Sequence, residues 1–377
     1  MKKLFFLCLL VLQLVVLTSC AKNNDPGGED IVIASANPMT GNSSDYGDMK
    51  VKAIQLAFEE VNEAGGINGR KLRLVIGDDA STPKEAHRLA EKLVADPSVL
   101  AVIGHWNSAC TLAARNVYNG AKMPVITDSV NKAITDGSTP YIFRISLTDT
   151  AQAAQLAEYS VKILNFRKAA IIYANNDFGK GLKEDFVNKF RQLGGEITNI
   201  ETYFEGQTRD FTPELIKIKN SGAQFIFMAG YYTEAAMIAR QSRETGLGIP
   251  LIGTDGITSR ELIRIGGDSV EGIRLAAFFH PAVQHNDSRK FVNAYRQKYG
   301  KEPDTYAAMA YDSARLIIKA IGANGATRED IYKYLESTEG YHGVIGDISF
   351  DANHDAQSKI IILTVKDGEF VPETLQL

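Results

Sequence analysis

The stretch AFEEVNEAGGINGRKLRLVIGDDASTP, residues 57–83, contains the end of a helix, a strand and the start of a second helix. Apolar residues up to Val61 recur at helical spacing, and Gly65-Gly66 ends that pattern. The segment 71–79 has the pattern of a strand. Thr82 then offers a capping hydroxyl, and Pro83 occupies the first helical turn, where proline is best tolerated.

The same alternation of strand and helix recurs along the chain. Apolar strand patterns at 31–37 and 99–105 flank this stretch, and a second series begins after about residue 148. Repeated βα units predict parallel sheets with helices on both faces. We therefore expect an α/β fold with two doubly wound parallel-sheet lobes, in which a ligand binds beyond the carboxyl ends of the strands.

Composition limits the classes of function. The chain has 377 residues, 45% apolar and 23% charged, with a formal net charge of -4. This is the composition of a globular protein, and the length suggests two domains. The negative net charge does not favour binding to nucleic acid, and the sequence contains no long block of lysine and arginine.

The amino terminus predicts export. Lys2 and Lys3 precede an apolar segment, 4–17, which is too short to span a bilayer comfortably. The segment ends in Leu-Thr-Ser-Cys, which resembles a bacterial lipobox. We therefore expect a signal peptide over 1–19, lipidation of Cys20 and a flexible tether over 20–29. The alternative is an ordinary signal peptide followed by a chance cysteine.

Cysteine and histidine spacing gives no sign of a disulfide or a metal site. With Cys8 in the signal peptide and Cys20 lipidated, only Cys110 remains in the folded part. The six histidines include no metal-ligand spacing, and paired cysteines are absent. We expect no metal and no cofactor.

The stretch VIGHWNSACT, residues 102–111, combines three side chains that occur as catalytic groups: His105, Ser108 and Cys110. A hydrolase is disfavoured because Ser108 lacks a GxSxG elbow and no acid is identifiable as a partner of His105. Ser108 follows a strand and begins a helix, which makes it a candidate N-cap. A helix start also carries a partial positive charge suited to a carboxylate.

The chain resembles the type I periplasmic binding proteins of the Leu/Ile/Val-binding class. The resemblance runs from about residue 30 to the carboxyl end and includes NPMTGNSSDYGD, AVIGHWNSACT, NNDFGKG, AGYYTEA, GTDG and EGIR. It implies two lobes, 30–148 with 279–357 and 149–278 with 358–377, joined by a three-segment hinge that closes on the ligand.

The resemblance also implies roles for polar residues. Ser108 and Asn131 correspond to positions that bind a ligand carboxylate, while Ser129, Asn131 and Asp255 correspond to positions that bind an ammonium. Asn131 replaces a hydroxyl residue but can both donate and accept. Asp128 stands where proline is more usual, which leaves the geometry of this turn open. The alternative is a set of ordinary turn residues.

Aromatic residues are implied as the pocket wall: Tyr46, Trp106, Phe178 and Tyr231. Trp106, the only tryptophan, replaces an aliphatic residue. It either lines and narrows the pocket or packs under its loop. Tyr232 is expected to point away from the cleft because neighbours in an extended run alternate in direction.

The function predicted from these features is capture of an amino acid, branched-chain or otherwise apolar, for an ABC importer. Its partners would be permease and ATPase subunits and, through the lipid, a bacterial membrane. The protein itself would be an extracytoplasmic monomer and not an enzyme. The alternatives are a ligand without the α-amine (a carboxylate, keto acid, aromatic acid or amide) and a sensory role.

Overall fold

The computed structural model describes residues 28–41, 43–282 and 286–373. The predicted signal peptide, Cys20 and most of the tether lie outside the described residues. The described chain forms two large sheets, each surrounded by helices, and one separate two-stranded hairpin; it passes between the two large sheets three times.

The first sheet is wholly parallel, with the order β2-β1-β3-β4-β5. Its strands are β1 (Ile31–Asn37), β2 (Leu72–Asp78), β3 (Val99–Gly104), β4 (Val125–Thr127) and β5 (Ile142–Arg144). All seven residues of β1 are buried, as expected for a central strand covered on both faces.

Three helices connect these strands: α1 (Ser44–Glu63), α2 (Pro83–Ala95) and α3 (Ser108–Gly120). Gly65 and Gly66 follow α1 with φ angles of 104° and 80°, a conformation that favours glycine. Thr82 caps α2 by accepting the Glu85 N–H. The helix–strand–helix order predicted from residues 57–83 is therefore confirmed.

The second sheet has the order β14-β13-β10-β9-β8-β6-β7 and is parallel except for its last two strands, β13 and β14. The strands are β6 (Lys168–Ala174), β7 (Glu196–Tyr203), β8 (Phe225–Ala229), β9 (Leu251–Gly253), β10 (Arg274–Ala277), β13 (Ile361–Lys366) and β14 (Glu369–Pro372). The helices are α4 (Asp149–Glu158), α5 (Asp177–Gln192), α6 (Thr212–Asn220), α7 (Tyr232–Glu244) and α8 (Arg260–Gly266).

The segment between β10 and β13 packs on the first lobe. It contains α9 (Asn286–Tyr299), α10 (Thr305–Asn324), α11 (Arg328–Glu336) and a hairpin of β11 (Tyr341–Gly343) and β12 (Gly346–Ile348). Helix α10 lies along α1, and the Arg328 guanidinium donates to the Val99 carbonyl at 3.0 Å. The polypeptide then returns to the second sheet through β13.

Apolar side chains hold both lobes together. The first sheet buries Ile33 and Ile103 completely or nearly so, and the second buries Phe227 against Phe186, with ring centroids 3.8 Å apart. Each such side chain contributes about 1.5–3 kcal/mol when it is removed from water. Two parallel-sheet lobes with their own apolar packing confirm the predicted fold class.

Within residues 28–41, 43–282 and 286–373, none of the helices has both the length and the apolar character needed to span a membrane.

Candidate ligand-binding site

Loops from both lobes meet where the parallel strands end. From the first lobe, Trp106 follows β3 and Asp128 follows β4; from the second, Phe178, Tyr231 and Asp255 follow β6, β8 and β9. Together they enclose a cavity of about 10 Å³, close to the smallest space that holds one water molecule. The cavity is lined by Trp106, Asn107, Ser108, Asp128, Val130, Phe178, Tyr231, Asp255 and Tyr306.

Ser108 lies in the first turn of α3 and is 1% exposed. The N-cap is Asn107, whose side-chain oxygen accepts the Ala109 N–H at 2.9 Å, so the prediction that Ser108 is the N-cap was wrong by one residue. Asparagine and serine cap equally well, which is why the sequence did not separate them. The Ser108 hydroxyl accepts the Asn131 N–H at 3.4 Å.

Asp255 begins a single turn of 3-10 helix after β9 and is 3% exposed. The Tyr306 hydroxyl lies 3.0 Å from its backbone oxygen and 3.3 Å from Oδ2. No described residue is a hydrogen-bond partner of Oδ1. Burial raises the pKa of Asp255 to about 6, the polar groups of Gln152 and Tyr306 oppose the rise, and the charge of Asp128 adds to it.

Asp128 forms a buried ion pair with Lys50 on α1, with Nζ and Oδ1 separated by 2.6 Å. The two side chains are 3% and 2% exposed. The other carboxylate oxygen, Oδ2, has no partner within the described chain. The geometry of this turn could not be predicted from the sequence. The role of Lys50 could not be predicted either, because it is a single lysine within α1 that belongs to no recognisable motif.

Four of the nine lining residues are aromatic, namely Trp106, Phe178, Tyr231 and Tyr306, whereas Tyr46, predicted to line the pocket, is not among the nine. Trp106 stacks on Tyr46, with ring centroids 4.0 Å apart and planes 18° apart. Tyr231 lies 5.5 Å from Trp106 and stacks on Phe178 at 5.2 Å. Trp106 lines the cavity, and its ring occupies space that a smaller residue would leave open.

Two more tyrosines belong to this cluster. Tyr232 begins α7, and its ring centroid lies 5.3 Å from that of Tyr46, so the expectation that it points away from the cleft was wrong. Tyr232 does not follow the alternation of an extended run because it is the first residue of a helix. Tyr306, whose ring centroid lies 5.0 Å from that of Tyr46, was missed because it lies in the first turn of a long apolar helix whose start shows no polar motif other than Asp304.

Ser129 and Asn131 do not lie on the cavity wall. The Ser129 hydroxyl is 2.9 Å from the carbonyl oxygens of both His105 and Trp106. The Asn131 side chain accepts the Ala133 N–H and donates to the carbonyl of Asp177, across the cleft, at 2.8 Å. Their side chains hold the loops and the lobes together, and the ligand contacts expected of them stay predictions.

Arg144, which is fully buried at the end of β5, stabilises the turn that contains Ser129 and Asn131. Its guanidinium donates to the carbonyl oxygens of Ser129 and Asn131, to the Thr135 hydroxyl at 2.6 Å and to Asp355 at 2.7 Å. The Arg144 side chain thus connects the turn at Ser129–Asn131 to Asp355, which lies just before the last crossing between the lobes.

Direct bonds join the lobes across the cleft. The Tyr46 hydroxyl donates to the Gly256 carbonyl at 2.7 Å, and the Asn107 amide donates to the Tyr231 hydroxyl at 3.1 Å. At the edge, Lys132 pairs with Asp185 at 2.8 Å. These contacts define a closed arrangement of the two lobes.

His105 is buried and fully engaged. Its Nδ1 lies 2.6 Å from Asp79, the acid that the sequence did not reveal, and its Nε2 lies 3.1 Å from the Tyr118 hydroxyl. Because both ring nitrogens have partners other than Ser108, the arrangement is not that of a Ser-His-Asp triad.

A second, larger hollow has a volume of about 840 Å³. It is lined by parts of α1, α8 and the segment 295–305, and by none of the residues predicted to bind a ligand. Size alone therefore does not identify the site; the convergence of strand ends does.

The sequence and the structure both have close counterparts. Residues 30–369 match the family model described as periplasmic binding protein. The chain belongs to the periplasmic binding protein family. Leu/Ile/Val-binding protein homolog 1 of Brucella abortus (strain 2308) is 32% identical over 329 residues, which cover 86% of this chain and 87% of the relative.

Two solved structures are similar throughout. A leucine-binding protein of Thermotoga maritima has a TM-score of 0.86 at 32% identity, covering 91% of this chain and 98% of its own. The branched-chain amino acid transporter substrate-binding protein LivJ of Streptococcus pneumoniae, in complex with isoleucine, has a TM-score of 0.84 at 31% identity, covering 91% and 100%.

Membership of this family confirms three predictions made from the sequence: the resemblance itself, an extracytoplasmic location, and a binding protein instead of an enzyme.

Proposed function

We propose that this periplasmic binding protein captures an amino acid between its two lobes and delivers it to an ABC importer. One observation carries the proposal. A buried cavity at the strand ends is lined both by Ser108, at the start of α3, and by Asp255, whose Oδ1 has no hydrogen-bond partner among the described residues. The two ends of an α-amino acid carry the complementary charges.

The polar ends of the ligand are recognised separately. The carboxylate binds at Ser108, where the helix start supplies N–H groups and a partial positive charge. The ammonium binds Asp255, and burial strengthens this charge-assisted bond because little water competes. Asn131 also contacts the carboxylate, and Ser129 and Asn131 contact the ammonium beside Asp255.

The ligand side chain contacts the aromatic wall of Trp106, Phe178 and Tyr231, together with Tyr46, which stacks on Trp106. These rings select an apolar side chain, and the bulk of Trp106 limits its size. The relative solved with isoleucine supports a branched-chain or other apolar amino acid as the class. The cavity of about 10 Å³ enlarges for that side chain when the lobes separate and Trp106 moves.

Opening and closing takes place at three connections, near residues 148, 278 and 357. The lobes thus defined are 30–148 with 279–357 and 149–278 with 358–377. The bonds between Tyr46 and Gly256 and between Asn107 and Tyr231 break when the lobes separate. Hinge motion of this kind admits the ligand and excludes water around it.

Lipid on Cys20 anchors the mature protein to a bacterial membrane, and residues 20–29 tether the lobes to it. The protein acts as a monomer beside permease and ATPase subunits. Radiolabelled palmitate incorporated by the wild type and lost in Cys20→Ser tests the anchor; equal labelling of both would contradict it.

Isothermal titration calorimetry of the mature chain with each L-amino acid tests the function. We expect saturable one-to-one binding of at least one apolar L-amino acid. Binding of none, or tighter binding of carboxylic acids without an amine, would contradict the proposal.

Trp106→Leu is expected to shift selectivity toward larger side chains. The smaller residue leaves room beside Tyr46, and each methylene accommodated in an apolar pocket changes affinity by roughly tenfold or more. The measurement is the ratio of the dissociation constants for L-alanine and L-leucine by calorimetry. Phe143→Leu, which trims a buried ring away from the cavity, is the control. An unchanged ratio in Trp106→Leu would show that the ring does not limit the pocket.

Affinity is expected to fall in acid. The pKa of Asp255 is raised to about 6 by burial, so the carboxylate is ionised above that pH and takes up a proton below it. Because the ammonium needs the ionised form, the affinity is flat from about pH 7 to 8 and falls by up to about tenfold per unit below 6. Calorimetry across this range checks the profile, which Asp255→Asn is expected to flatten.

A further inference from the structure

Asp128 and Asp255 are both buried carboxylates on the cavity, but the proposed function gives a ligand contact only to Asp255. Each side chain is at most 4% exposed, each lines the same cavity, and each has one carboxylate oxygen without a partner in the described chain: Oδ2 of Asp128 and Oδ1 of Asp255. A buried acceptor left unpaired costs about 1–3 kcal/mol, and more when it is charged. Two such acceptors on one small cavity indicate a ligand with several donors.

The charges around the cavity favour a cation. Lys50 pairs with Oδ1 of Asp128 at 2.6 Å and compensates that carboxylate. Among the residues that the structure describes, Asp255 has no cationic partner; its polar neighbours are Tyr306 and Gln152. The two carboxylates and Lys50 therefore leave one net negative charge, which a single ligand ammonium neutralises.

We propose that Asp128 binds the ligand ammonium together with Asp255, and that Lys50 is the countercharge of Asp128 in this buried site. This inference rests on the proposed function and adds a second acceptor to it. A primary ammonium has three donors, enough for Asp128 Oδ2, Asp255 Oδ1 and one further acceptor. A ligand amine with fewer N–H groups loses one of these bonds.

A purely structural ion pair is the competing explanation for Asp128. In that case the carboxylate only holds the loop against α1, and its loss weakens the binding of every ligand to the same extent. If Asp128 contacts the ammonium, its loss weakens only ligands that carry the amine.

The test compares an L-amino acid with its des-amino carboxylic acid in calorimetric titrations of four proteins: wild type, Asp128→Asn, the double variant Lys50→Gln/Asp128→Asn and Asp312→Asn. The double variant removes both charges, so no unpaired lysine remains buried if the single variant folds poorly. Asp312 is a buried carboxylate bonded to the N–H groups of Val344 and Ile345, away from the cavity, and serves as the control.

We expect both Asp128 variants to weaken binding of the amino acid by at least about tenfold and to change binding of the des-amino acid little. Asp312→Asn is expected to leave the affinity for both ligands unchanged. Equal weakening of both ligands, or unchanged affinity for the amino acid, would overturn the inference while the proposed function stands. If the wild type binds no amino acid, the proposed function itself fails.

Discussion

Asp255→Asn is expected to weaken binding of the L-amino acid by more than about a hundredfold. The substitution keeps the shape of the side chain but removes the charge that faces the ammonium in a buried site. Truncating one partner of a buried charge pair costs about 2–5 kcal/mol, and about 1.4 kcal/mol corresponds to a factor of ten. Calorimetry at pH 8, where the wild-type carboxylate is ionised, measures the loss.

The matched control is Asp312→Asn, which neutralises another buried carboxylate of the binding protein without touching the cavity. Its affinity is expected to equal that of the wild type. Circular dichroism of all three proteins verifies that they are folded. A loss of less than about fivefold in Asp255→Asn would mean that another group binds the ammonium.

Arg144→Leu is expected to reduce the free energy of unfolding by about 3–5 kcal/mol. Leucine fills much of the buried volume but leaves Asp355 without its cation and the carbonyl oxygens of Ser129 and Asn131 without their donor. Breaking a buried pair by removing one partner is penalised to this extent because the remaining charge stays desolvated. Urea denaturation followed by circular dichroism gives the difference.

Arg115→Leu provides the comparison. Arg115 belongs to the same lobe and pairs with Asp136 at 3.4 Å, but Asp136 is 42% exposed in its side chain. Pairs of this kind contribute about 0–1 kcal/mol. Similar losses in the two variants would refute the structural role given to Arg144, since they would show that its buried bonds add nothing beyond a surface ion pair.

The sequence was sufficient for the architecture because the fold depends on local, repeated signals. Gly65-Gly66 and Thr82-Pro83 mark helix boundaries within a few residues of a strand, and such boundaries depend on short-range geometry. The alternation of strands and helices then leaves few topologies besides two doubly wound lobes.

Parts of the site could not be predicted, because they depend on contacts between distant segments. Lys50 and Asp128 are 78 residues apart, and Asp79 reaches His105 across 26 residues. Tyr306 arrives on a helix from the third chain segment, and nothing in its own neighbourhood distinguishes it from core. The positions of Ser108 and Asp255 at the cleft could be predicted because each follows a strand, and strand ends converge in this fold.

The central claim, that the cleft recognises an amino acid through its ammonium, is tested most directly by comparing one ligand pair. Trp106 is the only tryptophan of the chain and lies on the cavity wall, so its fluorescence reports occupancy. We expect an apolar L-amino acid to change this fluorescence saturably and its des-amino carboxylic acid to bind at least about a hundredfold more weakly. Equal affinity for the two ligands would contradict the account.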